Sequence, residues 1–197
     1  MSGPVTFLVS PGTYTEQITI FAVNGASAAN RITFQSSNND SSSVILSWNS
    51  TLLSYNYTLR LAGANYIEFK KMTLKATNNT YGRVISLSST ATHNIFTGNQ
   101  IIGIQNTNTG NNYALVYSSG SNDNETVFES NLLKYGSYGI LFNGVSGSSL
   151  ESGTQIKRNR FTDQYYRGIF LQYQNAPVIS QNTITSASGY IYYYAVS

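Results

Sequence analysis

One short pattern of apolar and polar positions recurs along the chain. It consists of an apolar residue, two variable residues, an asparagine, one variable residue and a second apolar residue. Four copies place their asparagines at Asn99, Asn131, Asn159 and Asn182, and a degenerate copy has Met72 in that place. Successive positions lie 23 to 32 residues apart. Periods of roughly 20 to 50 residues are typical of stacked repeats, so the pattern predicts a repeat architecture.

A second apolar pattern lies between these copies. Pentads of alternating residues occupy positions 83–87, 113–117, 138–142 and 167–171, and a truncated copy lies at 194–196. Each repeat is therefore predicted to hold two short strands joined by polar loops, without the 3.6-residue apolar period of a helix. Two strands cannot bury their own apolar face, so neighbouring repeats must stack. The sequence predicts an all-β fold, a single-stranded parallel β-helix of roughly six to eight coils.

The asparagines have a structural interpretation. Coils stacked in register would place the four of them one above another at a turn. Asparagine tolerates the left-handed backbone region, and its amide both donates and accepts hydrogen bonds. We therefore expect a hydrogen-bonded ladder, with Met72 marking an atypical end coil. A polar ligand site is the less favoured interpretation, because buried polar groups are usually paired with one another.

Alignment of the pentads sorts their side chains into columns, because successive strand residues point to opposite faces. Two inward columns are expected, one at Ile85, Leu115, Ile140, Ile169 and Val196, and one at Leu87, Tyr117, Phe142 and Leu171. Two outward columns are expected, one at Ser86, Val116, Leu141 and Phe170, and a column of mostly small residues at Val84, Ala114, Gly139, Gly168 and Ala195.

The residues that begin the pentads are the candidate ligand-binding residues. They form a column of tyrosines and arginines: Arg83, Tyr113, Tyr138, Arg167 and Tyr194. Aromatic faces stack on sugar rings, and arginine and tyrosine hydrogen-bond to hydroxyl groups. The alternative is that these side chains fill a corner of the coil and stack on one another.

Length and charge narrow the range of functions. A chain of 197 residues suggests one domain over 1–197, with irregular opening coils at 1–65 and regular coils at 66–197. Only 10% of residues are charged, and the net charge of +3 reflects few acids rather than a basic cluster. We therefore expect no nucleic-acid partner. No apolar run approaches a membrane span, so no membrane insertion is expected. The absence of cysteine excludes a disulfide framework and a thiolate metal site.

The opening segment carries a family resemblance. Residues 9–18, Val-Ser-Pro-Gly-Thr-Tyr-Thr-Glu-Gln-Ile, resemble the "P-G-T-Y-x-E-x-I" coil of pectin-lyase-like right-handed parallel β-helix proteins. The composition, rich in Ser, Thr, Asn and Tyr, is similar to repeat regions of large secreted surface proteins of Bacteroidetes-type bacteria. The resemblance implies right-handed coiling, a secreted or cell-surface parent protein and polysaccharide as the ligand class. No signal peptide is expected within this chain.

Both ends of the chain are expected to lie within strands, the last one over 190–196. Uncapped coils expose unpaired backbone edges. We therefore interpret the chain as a piece of a longer protein and expect it to be able to associate end to end.

The favoured function is a non-catalytic structural or adhesive module with weak carbohydrate binding, and without metal or cofactor. The alternative is a polysaccharide lyase or glycoside hydrolase. A lyase would need clustered carboxylates for calcium and a basic residue to remove a proton. Its candidates are Glu129, Lys157, Arg158 and Asp163, and calcium is expected only under this alternative. A hydrolase would need two facing carboxylates, which loops would have to supply by bringing Asp123 or Glu125 near Glu151.

Overall fold

The computed structural model describes residues 1–147, 149–186 and 193–197. Three parallel sheets, A, B and C, contain seven strands each over these residues. Consecutive strands along the chain belong to sheet A, then B, then C, so each passage through the three sheets forms one coil, and coils 1 to 7 stack as a solenoid. The predicted all-β class, parallel stacking and number of coils are confirmed.

The strands are short and their bounds follow the coils in order. Sheet A contains Val5–Val9, Ile32–Ser36, Ile67–Lys70, Ile95–Thr97, Val127–Glu129, Gln155–Lys157 and Val178–Ser180. Sheet B contains Gly12–Thr15, Val44–Trp48, Thr73–Ala76, Gln100–Ile102, Leu132–Lys134, Arg160–Thr162 and Thr183–Thr185. Sheet C contains Ile18–Phe21, Leu59–Ala62, Ile85–Ser88, Val116–Ser119, Tyr138–Asn143, Arg167–Gln172 and Tyr194–Val196.

Three further pieces lie between these strands. Two 3-10 helices, Leu53–Tyr55 and Asn111–Tyr113, occupy loops that lead from sheet B to sheet C. A fourth, two-stranded sheet pairs Glu151–Ser152 with Gln174–Asn175, between sheets C and A. Of the strand expected over 190–196, positions 190–192 lie outside the described residues. Among those residues, none of the helical segments is long and apolar enough to cross a membrane.

The prediction of two strands per repeat is wrong, because each coil has three. The asparagine motif is not a single strand. In coil 4, strand Ile95–Thr97 ends before Gly98, and strand Gln100–Ile102 begins after Asn99. The chain turns a corner at Gly98 and Asn99, so the two apolar residues of the motif belong to different sheets and both still point into the core.

A column of phenylalanines runs along the interior of sheet A. Phe7, Phe34, Phe69, Phe96 and Phe128 stack on consecutive coils, with centroid distances of 4.9 to 6.0 Å between neighbours. Full burial of such a side chain stabilises the fold by about 1.5–3 kcal/mol. The column is half exposed at Phe7 in coil 1, where an apolar cavity of about 180 Å³ opens into the interior. Residues of coils 1 to 3 line this cavity, so the interior is incompletely filled at this end of the solenoid.

The predicted alignment of the coil 4 pentad is wrong by one residue. Val116, and not Leu115, pairs with Ile85 of coil 3 and Ile140 of coil 5. The N–H groups of Val84 and Ile85 both donate to the Leu115 carbonyl, over 3.2 and 2.8 Å. This local irregularity resembles a β-bulge, in which two residues of one strand face one residue of its neighbour. It allows Leu115 and Val116 to be buried side by side.

The shift exchanges the inner and outer faces for the rest of the strand. Tyr117, expected inside, lies in register with Ser86 and Leu141 on the outer face. Ser118 takes the inward position and is fully buried. Val116, expected outside, is in the core.

The expected outward column of small residues is also wrong at Val84, Ala114 and Gly139. Val84 and Ala114 are fully buried. A Cβ added to Gly139 would lie 2.5 Å from the carbonyl oxygen of Gly168 and 2.5 Å from Cδ1 of Phe161. Gly139 therefore faces the core, and its small size is required by close packing rather than by a surface ligand.

Candidate functional site

The four asparagines form a continuous ladder at the corner between sheets A and B. Each Oδ1 accepts from the backbone N–H of the asparagine one coil earlier, at 2.9 Å for Asn99 to Asn131, 2.9 Å for Asn131 to Asn159 and 2.8 Å for Asn159 to Asn182. The side-chain amides also link directly at 3.0 to 3.2 Å. They donate to sheet A carbonyls at 2.7 to 2.9 Å. At the end of the ladder, the Met72 N–H donates to Asn99 Oδ1 at 3.0 Å.

The left-handed residue at this corner precedes the ladder position. The angle φ is +55° at Lys71, +63° at Gly98, +56° at Ser130, +55° at Arg158 and +56° at Gln181. The expectation that the asparagine itself adopts this conformation is wrong. The ladder requires asparagine because a buried amide can both donate and accept in this geometry.

Three of the predicted ligand-binding residues lie together on sheet C. Tyr138, Arg167 and Tyr194 are in register on coils 5 to 7. Cζ of Arg167 lies 4.6 Å from the ring centroid of Tyr166, 4.9 Å from that of Phe170 and 5.1 Å from that of Tyr194. Its Nη2 donates to Tyr166 Oη at 2.9 Å. These side chains form a cation–aromatic cluster in which the guanidinium already contacts three rings.

The other two predicted residues lie elsewhere. Cζ of Arg83 is 3.6 Å from the ring centroid of Tyr117, and its Nε donates to the Asn111 carbonyl at 2.9 Å. Tyr113 ends a 3-10 helix, and its hydroxyl donates to the Asn79 carbonyl at 2.8 Å. The predicted column is therefore wrong at Tyr113, because the 3-10 helix takes this residue out of the strand.

A polar pocket of about 170 Å³ lies beside Arg83 on the outer face of sheet C. Arg60, Arg83 and Ser86 line it together with Tyr57, and none of the described residues that line it is acidic. Burial lowers the pKa of the Arg83 guanidinium, an effect that Tyr117 opposes. Arginine nevertheless stays protonated at neutral pH, so the pocket carries two positive charges.

Arg60 was missed in the sequence. It lies between Leu59 and Leu61, and this alternation was a sufficient signal for an outward position on a strand. In the structure it belongs to a register column on the outer face of sheet C, one coil after Thr19. The column contains Arg60, Ser86, Tyr117, Leu141 and Phe170. It connects the polar pocket at coils 2 and 3 with the aromatic cluster at coils 5 to 7.

The candidate lyase residues are only partly brought together. Arg158 forms an ion pair with Glu129, and Lys157 is the register partner of Glu129 on the next coil. Asp163 lies beyond the far end of strand Arg160–Thr162, at the corner between sheets B and C. The group therefore holds one carboxylate, and that carboxylate is already paired.

This arrangement does not fit calcium, which takes six to eight oxygen ligands that usually include several carboxylates. Within the described ranges, no cluster of three or more His, Asp or Glu residues could hold a metal ion. We therefore derive no catalytic step through a metal from these residues.

Two carboxylates do meet at the corner between sheets C and A, in adjacent coils. Asp123 and Glu151 are fully buried there. Glu151 Oε2 accepts from Gln174 Nε2 at 2.7 Å, whereas its Oε1 has no hydrogen-bond partner among the described residues. Burial raises the pKa of Glu151 to about 7, and the charge of Asp123 adds to this effect. A hydrolase needs carboxylates that face a substrate across a cleft, and full burial does not provide this.

Burial raises the pKa of Asp123 as well, and hydrogen bonds oppose the effect. Its Oδ2 accepts from Ser118 Oγ at 2.6 Å, and its Oδ1 accepts from the Ala91 N–H at 2.7 Å. Glu125, the other acid considered for this role, contacts His93 Nε2 at 3.0 Å instead. Asp123 and Glu151 are thus buried in the interior, whereas Glu125 pairs with His93 at the surface.

Comparison of the chain with protein-family models, with curated proteins and with solved structures gave no match.

Proposed function

We propose that this solenoid is a non-catalytic structural or adhesive module that binds polysaccharide weakly along the outer face of sheet C. The observation that carries the proposal is the register column from Arg60 to Phe170, which runs unbroken across coils 2 to 6. With one strand spacing per coil, the column is roughly 19 Å long. Leu141 of coil 5 is only 6% exposed, so a linear glycan laid along the solenoid axis would contact this column mainly at coils 2, 3, 4 and 6.

The chemistry of this face suits sugars. Tyr117, Tyr138 and Phe170 offer apolar ring surface, and the pocket lined by Arg60 and Arg83 offers hydrogen-bond donors for hydroxyl groups. Weak affinity is expected because part of this capacity is already used. The Arg167 guanidinium contacts rings, and Arg83 donates to Asn111.

The finer assignments belong to the same proposal. Membership in the pectin-lyase-like group and right-handed coiling rest on the resemblance of residues 9–18, and a secreted or cell-surface location rests also on the similarity in composition. The structure supports the parallel β-solenoid on which they depend.

The experiment is retention of the purified chain on a panel of immobilised polysaccharides, with product release measured in parallel. Tyr117→Ala and Tyr138→Ala should reduce retention. Tyr66→Ala, at the corner between sheets C and A, is the matched control, since its ring stacks on His93 and not on sheet C. Thermal unfolding of each variant verifies that the fold is intact. Absence of retention would remove the binding part of the proposal, and product release would favour the lyase or hydrolase alternative.

End-to-end self-association is a further part of the proposal. Coil 1 exposes 64% of Leu8 and 69% of Phe21, and coil 7 exposes 47% of Val178 and 48% of Val196. Strands at the edge of a sheet also present unpaired backbone groups. Light scattering over a range of concentrations tests the idea, and a strict monomer at the highest concentration would contradict it.

A further inference from the structure

The outer face of sheet B carries a groove of about 400 Å³ that extends over coils 2 to 5. Its floor consists of two register columns of outward side chains. The first contains Ile45, Thr73, Gln100 and Leu132, and the second contains Lys75, Ile102 and Lys134. This groove is distinct from the sheet C face, because the two sheets form different sides of the solenoid.

The wall of the groove is held in place by the loop at 37–43. Thr73 Oγ1 donates to the Ser41 carbonyl at 2.7 Å, and Gln100 Nε2 donates to Ser41 Oγ at 3.2 Å. The loop is thereby fastened to coils 3 and 4, and Ser42 borders the groove. Tyr135 borders the opposite side, at the turn where strand Leu132–Lys134 ends. A preformed wall reduces the conformational entropy that is lost when a ligand binds.

The charge of the groove is positive and uncompensated. None of the described residues that line it is acidic, and neither Lys75 nor Lys134 belongs to an ion pair of the described chain. The Lys134 ammonium lies 4.7 Å from the ring centroid of Tyr135. Lys157 on sheet A differs, because it lies beside Glu129. The groove therefore favours an anionic ligand over a neutral one.

The spacing of the charges favours an extended chain. Lys75 and Lys134 occupy the same column two coils apart, which is roughly 10 Å along the solenoid axis. Ile102 lies between them, and the apolar side of a sugar ring can cover it. Two lysines are too few for a nucleic-acid backbone, whose binding depends on many phosphate contacts.

We propose that the sheet B groove binds an acidic polysaccharide with one carboxylate on every second sugar. Its carboxylates pair with Lys75 and Lys134. The sugar between them packs over Ile102 and Leu132 beside the Tyr135 ring, and the Gln100 amide oxygen accepts hydrogen bonds from its hydroxyl groups.

The test measures the Kd of the full chain for hyaluronate, whose carboxylates alternate in this way, by calorimetry at low and high salt. Dextran serves as a neutral glycan and polyglutamate as an acidic chain without sugars. Lys75→Gln/Lys134→Gln should weaken hyaluronate binding roughly 5- to 10-fold, because two exposed ion pairs are lost. The matched control Lys70→Gln/Lys157→Gln removes the same charge from sheet A and should change the Kd by less than about twofold.

Three results would overturn the proposal. They are undetectable binding of hyaluronate by the wild-type chain, an equal loss in the groove and control variants, and binding of polyglutamate or a single-stranded oligonucleotide as tight as that of hyaluronate. The proposed binding face on sheet C is tested independently, because Tyr117→Ala leaves the sheet B groove intact. Suppose that Tyr117→Ala is retained on immobilised dextran as strongly as the wild type, while the groove variant loses its affinity for hyaluronate. Only the sheet C proposal is then contradicted.

Discussion

The polar side chains buried at two corners of the solenoid have their hydrogen bonds satisfied to different degrees. At the corner between sheets A and B, asparagine amides donate and accept along the whole ladder. At the corner between sheets C and A, Asp123 and Glu151 lie in adjacent coils, and Glu151 Oε1 has no partner among the described residues. The difference follows from chemistry, because an ionised carboxylate accepts hydrogen bonds and cannot donate them.

The comparison shows what a stacked repeat demands of its buried groups. Every coil presents the same backbone N–H and carbonyl to its neighbour. A side chain that can pair with both groups can therefore occur in every coil without conflict. Two carboxylates in adjacent coils bring like charges close together, and burial together with the charge of Asp123 raises the pKa of Glu151. The ladder is thus a uniform element, whereas the acidic corner is sensitive to pH.

The largest expected effect is at the middle of the ladder. Asn131→Ala would leave the Asn99 N–H and the Phe96 carbonyl without their side-chain partner. Each unsatisfied buried group costs about 1–3 kcal/mol, so the free energy of unfolding should fall by about 3–5 kcal/mol. Asn182→Ala, at the half-buried end of the ladder, should cost about 1–2 kcal/mol. Urea unfolding measures both, and equal losses would contradict the view of the ladder as a chain of coupled bonds.

The next effect is the pH dependence contributed by Glu151. Its pKa is about 7 in the folded chain, against an ordinary value of 4.5. Between these two values the folded state keeps a proton that the unfolded state has lost, so stability decreases as pH rises. The contribution is fully present below pH 4.5 and is lost as pH passes through 7. The loss amounts to about 3 kcal/mol.

Glu151→Gln should remove this slope and make the chain more stable than the wild type at pH 8. Unfolding curves measured from pH 4 to 8 give the comparison. Ser146→Ala, in the loop that precedes Glu151, keeps the titrating group and should keep the wild-type profile. A wild-type slope that survives in Glu151→Gln would show that another group is responsible.

A smaller effect is expected for Asp123→Asn, which separates the two causes of the raised pKa of Glu151. Burial is the main cause of the raised pKa of Glu151, and the charge of Asp123 adds to it. Asp123→Asn should therefore lower the pKa of Glu151 and leave most of the shift in place. An NMR titration of the Glu151 side chain measures it directly. Return of the pKa to its ordinary value would mean that the neighbouring charge dominates instead.

The smallest effect is expected for the surface pair of Glu129 and Arg158. The Arg158 side chain is about half exposed, and exposed ion pairs contribute about 0.2–1 kcal/mol. Arg158→Gln should lower the free energy of unfolding by less than about 1 kcal/mol, an effect that high salt reduces. A loss of unfolding free energy as large as that of Asn131→Ala would contradict this contrast, because an exposed charge would then stabilise the fold as much as a buried amide.

Much of the architecture could be predicted from the recurring motif. Asn99 and its counterparts recur with apolar residues at fixed offsets, and identical offsets in successive repeats imply stacking in register. The sheet A column of Lys70, Thr97, Glu129 and Lys157 follows from the same offsets. No insertion interrupts the motif in these coils, so the alignment in sequence is also the alignment in space.

The sheet C face could be predicted only in part. Tyr138, Arg167 and Tyr194 align because their coils enter the strand in the same way. Tyr113 does not, because the 3-10 helix before the sheet C strand of coil 4 changes the entry to that strand and shifts the register by one residue. Such a shift leaves the apolar pattern plausible on either face, since Leu115 and Val116 are both apolar. The alternation around Arg60 predicts an outward position on a strand but not the pocket that this side chain lines.

The stacked parallel coils and the spacing of the asparagines follow from the sequence alone, because they depend on residues that repeat at fixed offsets. The register of sheet C, the burial of Glu151 and the assembly of the sheet B groove are set only in the folded chain. Each of these depends on loops that differ from coil to coil. A loop such as 37–43 acquires its position only when Ser41 meets Thr73 and Gln100 on later coils. Contacts between such distant residues leave no periodic trace in the chain.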